Sequence, residues 1–266
     1  MSIVHSALAS FEATRLVVLL GIYAASALFS GLSGFGFSAI GTLTLCLVPP
    51  QLGICMLMLL SAFTQVMSLS ALRDQVLPHN ASWKGGFLPY VAGGVLGLPL
   101  GLWILARAPS QTLVVALGVL LVAYSIYSIF KPNGLVLPSD QTGLGSALVV
   151  GAIGGLVGGF SAFPGSALVV WNGLKNVPKE RGRALSQPFI LFMQLIGLSF
   201  VAFARPALFD ARLLTLLVLA LPLAWAGNRL GIQICRRASQ VNYRLITLAA
   251  LGVSGLSLLL KAALFS

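Results

Sequence analysis

Gly31-Leu-Ser-Gly-Phe-Gly-Phe-Ser-Ala-Ile-Gly41 and Gly155-Leu-Val-Gly-Gly-Phe-Ser-Ala-Phe-Pro-Gly165 decide how this chain folds. Each is a glycine cluster inside an apolar run too long for one membrane crossing. The first run extends from about Leu16 to Val48, the second from about Gly143 to Leu174. A straight helix of such length would cover about 48 Å, against a hydrocarbon core of about 30 Å. Each run is therefore expected to form two helical pieces joined by an irregular turn. Unpaired backbone at membrane depth is tolerated only inside protein or beside a water-filled cavity. The two breaks should then face each other or share a cavity.

Composition points the same way. Of the 266 residues, 58% are hydrophobic and 8% are charged, against about a quarter charged in soluble proteins. Sixteen Lys and Arg with five Asp and Glu cannot supply a polar skin for a soluble fold of this size. A disordered chain, a secreted disulfide scaffold and a soluble domain are excluded, which leaves an all-α integral membrane protein. The net charge of +11 is scattered singly or in small groups between apolar runs. That is how loop charges orient helices in a bilayer, not how a nucleic-acid surface is built. Cys46, Cys55 and Cys235 share no metal spacing and read as small apolar packers. No metal and no cofactor is expected. The run from Leu16 to Phe29 reads as a retained span, although Ala25-Ser26-Ala27 resembles a cleavage site, because only Arg15 precedes it closely and the apolar sequence continues.

Charges and prolines mark out about eight spans. After the first run come about Gly53 to Leu72, Gly86 to Ala106 and Gln111 to Phe130. After the second come about Ala184 to Ala204, Leu213 to Ile234 and Leu245 to Leu260. None alternates with a period of two, so a β-barrel is not expected. The chain also repeats itself. Gly31-Leu32-Ser33-Gly34 matches Gly155-Leu156-Val157-Gly158 at an offset of 124, Phe63-Thr64-Gln65 matches Phe192-Met193-Gln194 at 129, and Gly97 and Gly101 match Gly227 and Gly231 at 130. The expected organisation is two four-helix repeats, residues 1–134 and 135–266, in one membrane domain with broken helices in spans one and five. An even number of spans per repeat places the two about an axis along the membrane normal. The basic clusters Lys175 to Arg183 and Arg236 to Arg244 favour their side as cytoplasmic, with both termini opposite.

At the glycine breaks the sequence resembles the TauE/SafE family of sulfite exporters. The first break is similar to that family's first-span motif. The second, followed by Leu168-Val169-Val170-Trp171 and by Val177-Pro178-Lys179-Glu180-Arg181-Gly182-Arg183-Ala184, is similar to its second motif with a Pro-Lys loop and Arg-Ala pair. Phe37 and Leu43 depart from the family pattern, where a glycine and a proline are often found. The resemblance covers essentially the whole chain. It implies transport of sulfite, sulfonates, sulfoacetate or related organosulfur anions, in either direction, and no enzymatic activity.

The residues agree without the family. Glu12, Asp74, Asp140, Glu180 and Asp210, and both His5 and His79, fall outside the expected spans. A cationic substrate would meet no counter-charge, whereas helix breaks present amides to an anion. Ser33, Gly34, Phe35, Gly36 and Ser38 are expected to form one half-site. Gly159, Phe160, Ser161, Phe163, Gly165 and Ser166 are expected to form the other. Gln65 and Gln194, at matching places in spans two and six, either donate to the anion or bond helix to helix. Arg183 reads as a topology-setting loop charge that can also draw anions to the cytoplasmic mouth. Arg229 reads as a cation snorkelling to the interface. The expected function is a secondary transporter of a small sulfur-containing anion across the inner (cytoplasmic) membrane by alternating access between the two breaks. The alternative is an anion channel with the same site and no alternating gate. Partners are the lipid bilayer, the anionic substrate, a coupling H+ or Na+, and a second copy in a homodimer, with no nucleic acid.

Overall fold

The computed structural model describes residues 13–80, 85–130, 143–175 and 177–237, with isolated positions between 252 and 263. Most of the expected eighth span, together with His5, Glu12, Trp83, Lys131, Asp140 and Arg244, lies outside the described residues.

Every regular element among the described residues is helical. The first long run divides into α1 (Ala13–Ser33), the single turn α2 (Phe37–Gly41) and a 3-10 turn, Thr42–Cys46. Pro49 and Pro50 then restart the chain. Proline at the first helical position loses no intrahelical bond and presets φ, and α3 (Pro50–Ala71) runs from there. A short helix, α4 (Arg73–His79), precedes α5 (Leu88–Arg107) and α6 (Ser110–Phe130). The second long run divides into α7 (Leu144–Ser161) and α8 (Gly165–Leu174). The last two described helices are α9 (Lys179–Ala204) and α10 (Ala211–Arg237). Asp210 caps α10: its Oδ1 accepts the backbone N–H groups of Arg212 and Leu213, both at 3.0 Å, as the orphan donors of a first turn require.

Six of these helices, α1, α3, α5, α7, α9 and α10, are long and apolar enough to cross a membrane. Large apolar side chains such as Leu96, Val218 and Phe203 point outward, which suits acyl chains and not water. Arg229 stacks on Trp225 at 5.3 Å, and Arg107 on Trp103 at 5.2 Å. One boundary differs from the sequence expectation. The basic loop was expected to last to Arg183, but α9 begins at Lys179, directly after Pro178. Glu180 in its first turn favours that start through the helix dipole. Arg183 is consequently a helical residue.

Two helix pairs dominate the packing, α5 against α7 and α1 against α10. Glycine makes both close. A Cβ on Gly97 would lie 1.9 Å from the Ala152 carbonyl oxygen, and one on Gly101 2.1 Å from that of Leu156. In the other pair, a Cβ on Gly231 would lie 2.0 Å from the Leu28 oxygen, and one on Gly31 2.2 Å from that of Asn228. No side chain fits there, so backbone packs on backbone, as small residues allow between membrane helices. These two contacts fix the inner ends of α1 and α7, where the breaks begin.

Candidate functional site

The two breaks are built alike. Each ends a helix on a serine whose hydroxyl turns back to the carbonyl four residues earlier: Ser33 Oγ donates to Phe29 at 2.8 Å, and Ser161 Oγ to Val157 at 2.5 Å. The next residue takes positive φ, Gly34 at 83° and Ala162 at 55°. Glycine tolerates this conformation freely, whereas alanine there costs roughly 1–2 kcal/mol. A phenylalanine follows, and its backbone N–H donates to the serine hydroxyl: Phe35 at 3.3 Å and Phe163 at 3.2 Å. The residue at positive φ offers its carbonyl to a buried glutamine. Gln65 Nε2 donates to Gly34 at 3.0 Å, and Gln194 Nε2 to Ala162 at 2.8 Å.

These matching bonds pair residue by residue at an offset of 128, not the 124 expected from the glycines: Ser33 with Ser161, Gly34 with Ala162, and Phe35 with Phe163. The offsets along the chain then grow smoothly, since the glutamines stand 129 apart and the packing glycines 130.

The breaks meet each other. The rings of Phe35 and Phe163 are stacked with centroids 6.4 Å apart, and Ser38 Oγ donates across to the Ala162 carbonyl. Gly165 opens α8, where a Cβ would lie 2.6 Å from Ile190 Cδ1. Ser166 Oγ donates to Phe163 at 3.1 Å. Gly36 precedes α2, and its N–H donates to Ser33 Oγ at 2.8 Å. Phe160 is half-buried beside this layer. Gly159 does not reach the opposite break: its Cα faces α5, where a Cβ would lie 2.7 Å from the Leu102 nitrogen.

The serines therefore hold the turns, and their hydroxyl protons are committed within the protein. The donors left without a partner lie elsewhere. Arg183 reaches in from α9, donating from Nη2 to Gly31 at 3.2 Å and from Nη1 to Cys235 Sγ at 2.9 Å. Its Nε is buried with no hydrogen-bond partner among the described residues. One helical turn on, Gln187 is fully buried, and neither its Nε2 nor its Oε1 has a partner among the described residues. Both donors crowd Gly34, where a Cβ would stand 2.8 Å from Gln187 Nε2 and 2.9 Å from Arg183 Nε. Gln65 Oε1 is likewise buried and unpartnered. No carboxylate among the described residues forms an ion pair with Arg183.

Arg183 is thus an inward-turned cation at the first break and not a loop charge. Gln187 escaped the sequence reading. Its signal was the spacing of four from Arg183, which puts both side chains on one helix face. Asn228 escaped it too. Its Nδ2 donates to the Thr64 carbonyl at 3.2 Å and to Ser68 Oγ at 3.4 Å, which ties α10 to α3.

Two buried N–H groups beside a glycine turn, one on a half-buried guanidinium and one on a fully buried carboxamide, are chemistry for an anion. The sequence model of the sulfite exporter TauE/SafE family matches residues 18–258. The chain belongs to the TauE/SafE sulfite exporter family. Like the family, it is a multi-pass membrane transporter and not an enzyme, and the family carries sulfite and related sulfur anions. Comparisons with curated proteins and with solved structures return no match.

The glutamine bonds yield a direct expectation. Gln65→Leu leaves the buried Gly34 carbonyl without its donor, and Gln194→Leu removes one of two donors from Ala162. An unpaired buried acceptor costs about 1–3 kcal/mol. Thermal unfolding in detergent should show the larger loss of melting temperature for Gln65→Leu, and equal melting of both variants and wild type would remove this role.

Proposed function

We propose that this chain is a secondary carrier of a small sulfur-containing anion, bound at mid-membrane where the two breaks meet. The single observation that carries the reading is the Arg183 guanidinium and Gln187 carboxamide turned inward onto Gly34, buried and incompletely bonded. In this reading the contacting residues are Arg183, Gln187, Gly34, Phe35 and Phe163. Ser33, Gly36, Ser38, Gln65, Ser161, Gly165, Ser166 and Gln194 keep the turns in shape, and Gly159 serves the α5 interface.

Alternating access needs two bodies that move against each other. The matched bonds at the two breaks, at offsets of 128 and 129, support two repeats, 1–134 and 135–266, with eight spans in all. The exchange of partners supports it as well, since α1 of one half packs on α10 of the other and α5 on α7. The stacked Phe35 and Phe163 rings and the buried turns support a carrier over an open channel, because the path between the halves is packed with side chains. The inner membrane is the proposed location, with the Lys175 to Arg183 side cytoplasmic. Coupling to H+ or Na+ and pairing as a homodimer remain part of the proposal.

Counterflow tests the carrier. Proteoliposomes preloaded with sulfite should take up labelled sulfite faster than empty ones, with a rate that saturates. Uptake that rises linearly and ignores the internal anion would identify a channel.

A further inference from the structure

Resting on that reading, we infer that the site takes a singly charged sulfur oxoanion that carries a hydrogen-bond donor of its own, such as a hydroxyl group or an acidic proton. Two features of the Gly34 turn carry this.

The first is charge. The side chains and backbone gathered there, from Gly31, Gly34, Arg183, Gln187 and Cys235, bring one formal charge, that of Arg183. One guanidinium matches one negative charge. A dianion such as sulfate would bring a second charge into a buried setting without a counter-ion, where an unpaired charge is costly. Arg183 also has a donor left for this purpose: two of its nitrogens are engaged, and Nε is not.

The second is the presence of unmet acceptors beside unmet donors. Gln187 is unpartnered among the described residues at both ends of its carboxamide. One end asks for an acceptor and the other for a donor. A plain sulfonate offers acceptors only. It would satisfy Arg183 Nε and Gln187 Nε2 and leave the Gln187 carboxamide oxygen unmet. A monoanion bearing a hydroxyl or an acidic proton satisfies both sets. The hydrogen-bearing monoanion of sulfite belongs to this class. It would carry its own proton through the site.

The test compares three probes at one pH and one ionic strength by isothermal titration of the full-length protein in detergent: hydroxyethanesulfonate, ethanesulfonate and sulfate. The wild type should bind hydroxyethanesulfonate about tenfold tighter than ethanesulfonate, the value of one buried hydrogen bond left unmade. Sulfate should bind more weakly than either. Gln187→Met, close in volume, removes both the amide donor and the amide acceptor, so it should weaken both sulfonates and bring their affinities together, erasing the preference for the hydroxyl. Its melting temperature without ligand reports whether it folds, and if it does not, the wild-type ranking alone decides. Equal binding of the two sulfonates, or sulfate as the tightest ligand, overturns the inference and leaves the anion carrier standing. Binding of none of the three overturns both.

Discussion

Arg183→Met abolishes binding of sulfur anions in protein that still folds. The substitution keeps the apolar stem and removes the guanidinium that bonds Gly31 and presents its Nε at Gly34. A hydrogen bond to a charged group contributes about 1.5–3 kcal/mol, so affinity should fall by about two orders of magnitude. Stability changes less, because the partners lost are one backbone carbonyl and one thiol. Arg183→Lys should restore part of the affinity and not all of it. An ammonium keeps the charge, but it cannot hold a carbonyl and a ligand with a fixed fork. Titration of a sulfonate into the two variants checks this. Full affinity in Arg183→Met would move the site away from the first break.

Gly97→Leu has the second large effect, and it acts on assembly and not on binding. A Cβ at Gly97 would stand 1.9 Å from the Ala152 oxygen, well inside contact distance, and the obstacle is backbone that cannot rotate away. The α5 and α7 axes must separate along their whole contact. Overpacking a rigid interface costs about 1–3 kcal/mol for small insertions, and leucine adds several heavy atoms. Since α7 ends in Ser161, the second break would lose its seat as well. The expected result is an aggregated or poorly solubilised protein by size-exclusion chromatography. Gly21→Leu is the control, because nothing lies within 4 Å of that position. A monodisperse Gly97→Leu protein with wild-type melting would contradict the close packing.

Much of this was legible in the sequence. Long apolar runs must be helical in a bilayer, and 32-residue runs interrupted by glycine must break. The interfacial glycines, the paired glutamines and the proximity of the breaks followed from the same reasoning. Two points did not. The glycines set Gly31 against Gly155, whereas the hydrogen bonds and backbone set Gly34 against Ala162. The Ser-x-Phe pairs 33–35 and 161–163 carry the better alignment. The serines also looked like anion donors. Sequence cannot say where a hydroxyl proton points, and serine at a helix end readily bonds back to the carbonyl four residues earlier. Arg183 stands in a basic stretch that reads as loop, yet α9 begins at Lys179 and carries it on one face with Gln187, which lies within the expected span.

The most direct test of a sulfur-anion site at the first break is a thermal-shift series on purified protein. Sulfite, a sulfonate and a plain carboxylate are compared at equal ionic strength in wild type, Gly34→Ala and Arg183→Met. Gly34→Ala forces a side chain into positive φ and between Gln187 and Arg183. The account predicts stabilisation of the wild type by the sulfur anions above the carboxylate, and loss of that stabilisation in both variants. No response to any sulfur anion, or an undiminished response in both folded variants, would contradict it.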